Sequence, residues 1–221
     1  MLELVVATGN QGKVREIRRL FEATTVSIRS VTEWEPSFNP EESGKTYLDN
    51  ARLKAVAAFQ AINRPVVADD SGLCVVGLNL APGVQSARYA GDAATDTDRV
   101  QYLLEQMGSI SGPGRRAYFA CTLYAILPTE KVGKTEDVAI FQNERFGHGL
   151  VGVSTEGRLW GSIGFTPSGE GGFGYDPVFH PDVDPKRTLA QFEMDEKNMI
   201  SHRGVAFENL RKALSQGSGP R

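Results

Sequence analysis

Changes of hydrophobic period divide the 221-residue chain into its elements. Leu4, Val5, Val6 and Ala7 form an uninterrupted apolar run, the mark of a strand buried on both faces. From Val14 the period turns helical. Val14, Ile17, Leu20 and Phe21 share one face, and Arg15, Glu16, Arg18 and Arg19 occupy the others. Val26, Ile28 and Val31 suggest a second strand, and an acidic, proline-interrupted loop runs from Glu33 to Gly44. A helix is then expected from about Thr46 to Ile62, with Leu48, Ala51, Ala55, Ala58, Phe59 and Ile62 as its apolar stripe. Val66 to Ala68 read as a buried strand, Asp69 to Gly72 as an interruption, and Leu73 to Val76 as a resumed apolar run. After a turn at Ala81 to Val84, Thr95 and Asp98 have capping-box spacing. They open a helix that directs Val100, Leu103, Leu104 and Met107 inward, ended by Gly112-Pro113-Gly114. Arg116 to Leu127 is rich in aromatic and β-branched residues and reads as a core strand. Val138 to Phe146, Gly149 to Ser154 and a short piece at Leu159 and Trp160 follow it, strand upon strand, which predicts antiparallel pairing. Val178 and Phe179 make one more strand. Ser201 is the expected N-cap of a final helix carrying Phe207, Leu210 and Leu214.

Composition narrows the classes. The length fits one large domain or two interlocked lobes. A net charge of -3, with both signs interspersed, gives no nucleic-acid footprint and no polybasic membrane patch. No apolar run approaches the ~20 residues of a membrane span. No signal-peptide layout precedes the first strand. Cys74 and Cys121 lie in apolar runs, read as buried free thiols, and fit a reducing cytoplasm.

Candidate chemistry sits at the junctions. Thr8, Gly9, Asn10, Gln11, Gly12 and Lys13 join the first strand to the first helix. Backbone N–H groups at a helix start, the helix dipole and Lys13 together make an anion site, with phosphate the expected anion. The spacing matches neither a Walker A loop nor a Rossmann fingerprint, and a tight turn whose Asn10 and Gly12 serve geometry alone is the competing reading. Asn50 and Lys54 share one helix face; an ordinary solvated charge is the plain reading of Lys54. Asp69 and Asp70 are costly between two apolar runs unless something satisfies them. Side chains alternate on extended backbone, so one Asp is expected to hold the loop and the other to face a ligand; caps of an Asx-turn are the alternative. Gly169, Gly171, Gly172 and Gly174 surround Phe173, Tyr175 and Asp176. Glycines admit a ligand close to backbone, and the two rings offer stacking faces for a base, unless they are core. His202 and Arg203 fall in the first turn of the last helix, where cations oppose the dipole and call for an anionic or polar partner, a surface helix start with ordinary charges being the alternative.

Four ordered motifs carry a resemblance: TGNQGK (Thr8 to Lys13), ADDSGL (Ala68 to Leu73), GGFGYDP (Gly171 to Pro177) and EKNMISHRG (Glu196 to Gly204), with APGVQSARYAG at Ala81 to Gly91. The chain resembles the inosine triphosphate pyrophosphatases, also called the HAM1-like non-standard purine NTP pyrophosphatases, from residue 4 to about 214. The resemblance implies an elongated mixed α/β body with a long curved mixed β-sheet, flanking helices and a cleft between two lobes. It implies one domain over residues 1–215, with a flexible tail at 216–221. It also implies hydrolysis of ITP, dITP and XTP between the α- and β-phosphates, releasing pyrophosphate, with Mg²⁺, by a cytoplasmic homodimer. Thr8, Gly9, Asn10, Gln11, Gly12 and Lys13 would then cradle the triphosphate, Lys13 and Lys54 neutralise it, and Ser71 donate to a phosphate oxygen. Asp70 would hold Mg²⁺ and activate water, with Glu42 as second metal carboxylate and Glu41 its competitor. Phe173 would stack on the purine beside Gly174, and Tyr175, Asp176, His202 and Arg203 would line the base pocket. Lys197 would sit against base or phosphate, and the donor-only Arg203 would read O6. A Maf-type pyrophosphatase and a nucleotide sensor without turnover are the alternatives.

Overall fold

A computed structural model describes residues 2–142 and 146–216. Strand β1 (Leu2–Val6) leads into helix α1 (Gln11–Phe21), then strand β2 (Val26–Ser30) and helix α2 (Tyr47–Ile62). Strand β3 (Val66–Val75), helix α3 (Asp96–Met107) and strand β4 (Arg116–Pro128) follow. Strands β5 (Val138–Phe141), β6 (Leu150–Ile163) and β7 (Phe179–Pro181) precede helices α4 (Met194–Ile200) and α5 (His202–Gln216). The strands form a seven-stranded mixed sheet in the order β2-β1-β3-β4-β6-β5, with β7 also on β6. Pairing is parallel for β1 with β2 and β3, and antiparallel for β6 with β5 and β7. The α/β class and the antiparallel later strands are as the sequence suggests.

Contacts divide the chain into two compact units: Met1–Asp70, Cys121–Gly157 and Arg203–Arg221 in the first, Ser71–Ala120 and Arg158–His202 in the second. In the first unit, Leu4 and Val6 pack with Ile17, Phe21, Phe207 and Leu210. Val5 and Ala7 pack with Ala51, Ala55, Ala58 and Tyr124. Alternate residues of β1 thus enter different clusters, which is why its sequence is apolar without alternation. Phe21 meets Phe207 edge to face at 5.9 Å, a geometry worth about 1 kcal/mol beyond burial. The second unit has its own core, with Leu73, Val75, Val100, Leu103, Met107, Phe119, Tyr175 and Phe179.

Several boundaries differ from expectation, each for a physical reason. Helix α1 starts at Gln11 rather than Val14, because the Asn10 carboxamide oxygen accepts from the Lys13 backbone N–H at 3.1 Å and caps it. Strand β3 runs unbroken through Asp69 to Gly72, because both carboxylates find cationic partners within the unit. Strand β6 continues through Glu156 and Arg158, which lie on its exposed face while Gly157 and Leu159 are buried. Strand β5 ends at Phe141, and residues 143–145 of the expected Val138 to Phe146 strand lie outside the described residues. Gln216 closes α5, and the rest of the expected tail, 217–221, also lies outside them. Among the described residues no helix is long and apolar enough to cross a membrane.

Candidate functional site

Two clusters of buried polar residues stand out, one in each unit. In the first, the end of β1 and the first turn of α1 present Thr8 to Lys13. The Asn10 N–H donates to the Thr8 hydroxyl at 3.2 Å, and the Ser30 hydroxyl donates to the Thr8 carbonyl at 3.2 Å. These bonds fix the turn. The capped Lys13 amide is committed to Asn10. Gln11 and Gly12 supply the first-turn amides, which have no partner within a helix.

The adjacent aspartates of β3 divide as alternation requires. Asp69 Oδ2 lies 2.9 Å from Lys13 Nζ and accepts from Arg203 Nε and Nη2 at 3.3 and 3.2 Å. Burial works against its charge, yet Lys13, Arg203 and Lys54 hold its carboxyl far below the usual range. Asp70 instead meets α2. Its Oδ1 is 3.2 Å from Lys54 Nζ, and its Oδ2 accepts from Asn50 Nδ2 at 3.1 Å. Lys54 also donates to Glu42 Oε1 at 3.0 Å. The solvated-lysine reading therefore fails: Lys54 is 7% exposed, and although burial lowers its pKa, Asp70, Asp69 and Glu42 together raise it. Burial, with the Glu42 charge, holds Asp70 above the ordinary carboxylate range against the pull of Lys54.

Glu42 and Asp70 thus share one ammonium, leaving an excess of negative charge among the three. That donor set fits Mg²⁺, which takes one or two carboxylates and completes its shell with water and phosphate oxygens. Among the described residues no group of three or more His, Cys, Asp or Glu is placed to hold a metal. Glu42 and Asp70 offer a two-carboxylate set. Glu41 is exposed, whereas Glu42 is half-buried and ion-paired.

The second cluster is built on the glycine-rich loop. Asp176 Oδ2 accepts from the Phe173 backbone N–H at 2.9 Å and from Lys197 Nζ at 2.8 Å. Gly172 has φ +73°, and a Cβ there would lie 2.1 Å from that same Asp176 oxygen, so only glycine fits this turn. The Gly174 N–H donates to Asp96 Oδ2 at 2.8 Å. The Lys197 ammonium stands 4.6 Å from the centroid of half-buried Phe173, on one face of its ring. His202 stacks on Phe119, with centroids 4.9 Å apart and planes 13° from parallel. Ser71, half-buried, opens this unit directly after Asp70.

Two residues expected in the base pocket have protein partners of their own. Tyr175 is a core residue: its ring is buried and its hydroxyl donates to the Ser86 carbonyl at 2.9 Å. Arg203 lies in the first unit, 2% exposed, with Nη1 on Glu16 Oε2 at 2.6 Å and Nε and Nη2 on Asp69 Oδ2. A buried guanidinium needs paired carboxylates, and these supply them. Glu16 was the residue sequence reasoning missed. Its place among charged neighbours on α1 reads as solvated, yet it is 7% exposed. The one signal was Arg203, a cation at a helix N-terminus in search of an anion.

A protein of Bacillus subtilis strain 168 named dITP/XTP pyrophosphatase is 38% identical over 214 residues, spanning 97% of this chain and 98% of its own. A HAM1 protein structure from Coxiella burnetii superposes with a TM-score of 0.79 at 36% identity, covering 97% of this chain and 99% of its own. The Staphylococcus aureus Ham1 structure gives 0.75 at 35% identity, covering 96% and 98%. The model of the Ham1 family matches residues 4–213, and the chain belongs to that family.

Proposed function

We propose that the protein hydrolyses non-standard purine nucleoside triphosphates, XTP, dITP and ITP, to the monophosphate and pyrophosphate, with Mg²⁺. The observation that carries this reading is the Glu42–Lys54–Asp70 cluster beside the α1 first turn, within a chain whose relatives carry the name dITP/XTP pyrophosphatase.

In this reading Lys13, the first-turn amides and Lys54 neutralise the polyphosphate, with Ser71 donating to a phosphate oxygen. Asp70 and Glu42 hold the metal. When bound, Mg²⁺ polarises phosphoryl oxygens and stabilises the charge that builds on them. Asp70 orients the attacking water and takes its proton. The water oxygen bonds to the α-phosphorus, the bond from that phosphorus to the α–β bridging oxygen breaks, and pyrophosphate leaves.

Phe173 stacks on the purine beside Gly174. Lys197, with His202, reads the base edge. An ammonium only donates, so Lys197 meets O6 of hypoxanthine or xanthine and leaves adenine's amine unpaired. Asp176 aims Lys197. Arg203 is not given a base contact here, since Asp69 and Glu16 hold three of its N–H groups. The Ham1 family match disfavours the Maf-type alternative. Buried thiols at Cys74 and Cys121 support a cytoplasmic enzyme, and we further infer a homodimer from the family resemblance.

The test is a substrate screen with Mg²⁺. Turnover by kcat/KM of XTP and dITP is expected to exceed that of GTP, and that of ATP by about 10² or more, the discrimination that an unpaired buried amine supplies. Equal turnover of all four sinks the specificity. Tight binding of XTP without product marks a sensor instead.

A further inference from the structure

We propose that Asp69 is a positioning residue for substrate polyphosphate: anchored by Arg203, and through it by Glu16, it fixes the Lys13 ammonium where the triphosphate arrives. This rests on the reading above, in which the first turn of α1 takes the phosphates. The four side chains form a closed circuit that starts and ends on one helix. Lys13 on α1 meets Asp69 on β3 at 2.9 Å, Asp69 meets Arg203 on α5 at 3.2 Å, and Arg203 returns to Glu16 on α1 at 2.6 Å. Lys13 and Glu16 lie one helical turn apart.

Exposure falls steeply around this circuit. The Lys13 side chain is 17% exposed, and the others are at 0, 2 and 9%. Lys13 is therefore the member able to meet a ligand. A lysine side chain is long and flexible and loses much rotamer freedom when held. Here one of its three N–H donors is already engaged by a buried carboxylate that Arg203 also holds, so the remaining donors have a set direction. The circuit holds two positive and two negative charges, so it adds no net attraction for an anion. What it supplies is orientation.

That gives opposed expectations for Asp69→Asn. If charge alone mattered, removing a carboxylate next to Lys13 would tighten polyphosphate binding. If orientation matters, binding weakens, because Lys13 is released. We expect KM for XTP to rise about tenfold with kcat little changed, the pattern of an interaction made equally in ground and transition states. In a Lys13→Met background the same Asp69→Asn change is expected to shift KM by less than about twofold, since its effect passes through Lys13.

The experiment is this double-mutant cycle, read as KM and kcat on XTP and as the Kd of inorganic tripolyphosphate by calorimetry, with thermal melts to verify folding. A lowered KM for Asp69→Asn, or an equal fold-change in both backgrounds, overturns the proposal. Should Asp69→Asn not fold, Glu16→Gln takes its place: a smaller rise in KM that vanishes with Lys13→Met supports positioning, and a rise that persists overturns it. If the wild-type protein turns over neither XTP nor dITP, the enzymatic reading fails separately, and the tripolyphosphate Kd still decides the circuit. Wild-type protein that binds no tripolyphosphate overturns it.

Discussion

An Asp70→Asn protein is expected to fold as the wild type does and to lose about three orders of magnitude in kcat on XTP, within the range for a group that handles a proton in the transition state. Asparagine keeps the shape and retains an oxygen for the Asn50 carboxamide, which now donates to Asp70 at 3.1 Å. Lys54 keeps Glu42. What disappears is the proton acceptor and one of the two carboxylates offered to Mg²⁺. Stability should move the other way. Burial and the Glu42 charge hold the Asp70 carboxyl above its ordinary range, so its ionised form is a cost in the folded state at neutral pH. Without Mg²⁺ the variant should therefore melt at or above the wild-type temperature. With Mg²⁺ the wild type should gain and the variant should not. Unaltered kcat removes Asp70 from its role, and a large fall in melting temperature shows that Asp70 is instead a structural member of the fold.

Arg203→Met is expected to destabilise the protein by about 3–5 kcal/mol, because removing one partner of a buried ion pair leaves the other charge uncompensated. For a chain of this size that lowers the melting temperature by roughly 10 °C. Glu16 and Asp69 would both lose their guanidinium, and Asp69 would keep its ion pair with Lys13. The guanidinium stands in the first turn of α5, where the helix dipole disfavours a cation by ~0.3–1 kcal/mol. Relief of that opposition is too small to offset the loss. Calorimetry on the purified variant measures the shift. A change of only a degree or two would show that water or a rearranged side chain takes over the pairing, and the circuit would lose its structural basis.

Much of this was legible in the chain. Leu4 to Ala7 announces a strand covered on both sides, and the Asn50 and Lys54 spacing places both side chains on the face of α2 that meets Asp70. Alternation at Asp69 and Asp70 correctly assigns them to different partners. What alternation lacks is the identity of those partners. One of the two is expected to tie down a loop, and Asp69 instead pairs with Arg203, 134 residues away. That distant pairing is also why no loop forms: once Lys13 and Arg203 satisfy the carboxylate, β3 need not break. Glu16 was hidden because a helical pattern counts charged residues as solvent-facing, and only the tertiary position of Arg203 reverses that. Tyr175 reads equally well as stacking platform or core, and the Ser86 carbonyl that receives its hydroxyl decides for core.

The most direct test follows the phosphorus atoms of XTP through one reaction with Mg²⁺ by ³¹P NMR. The expected spectrum shows XMP and pyrophosphate growing together in equal amounts, with no diphosphate intermediate. Accumulation of XDP with orthophosphate would place cleavage at the γ-phosphate and contradict the assignment of Asp70 and its neighbours to attack at the α-phosphorus.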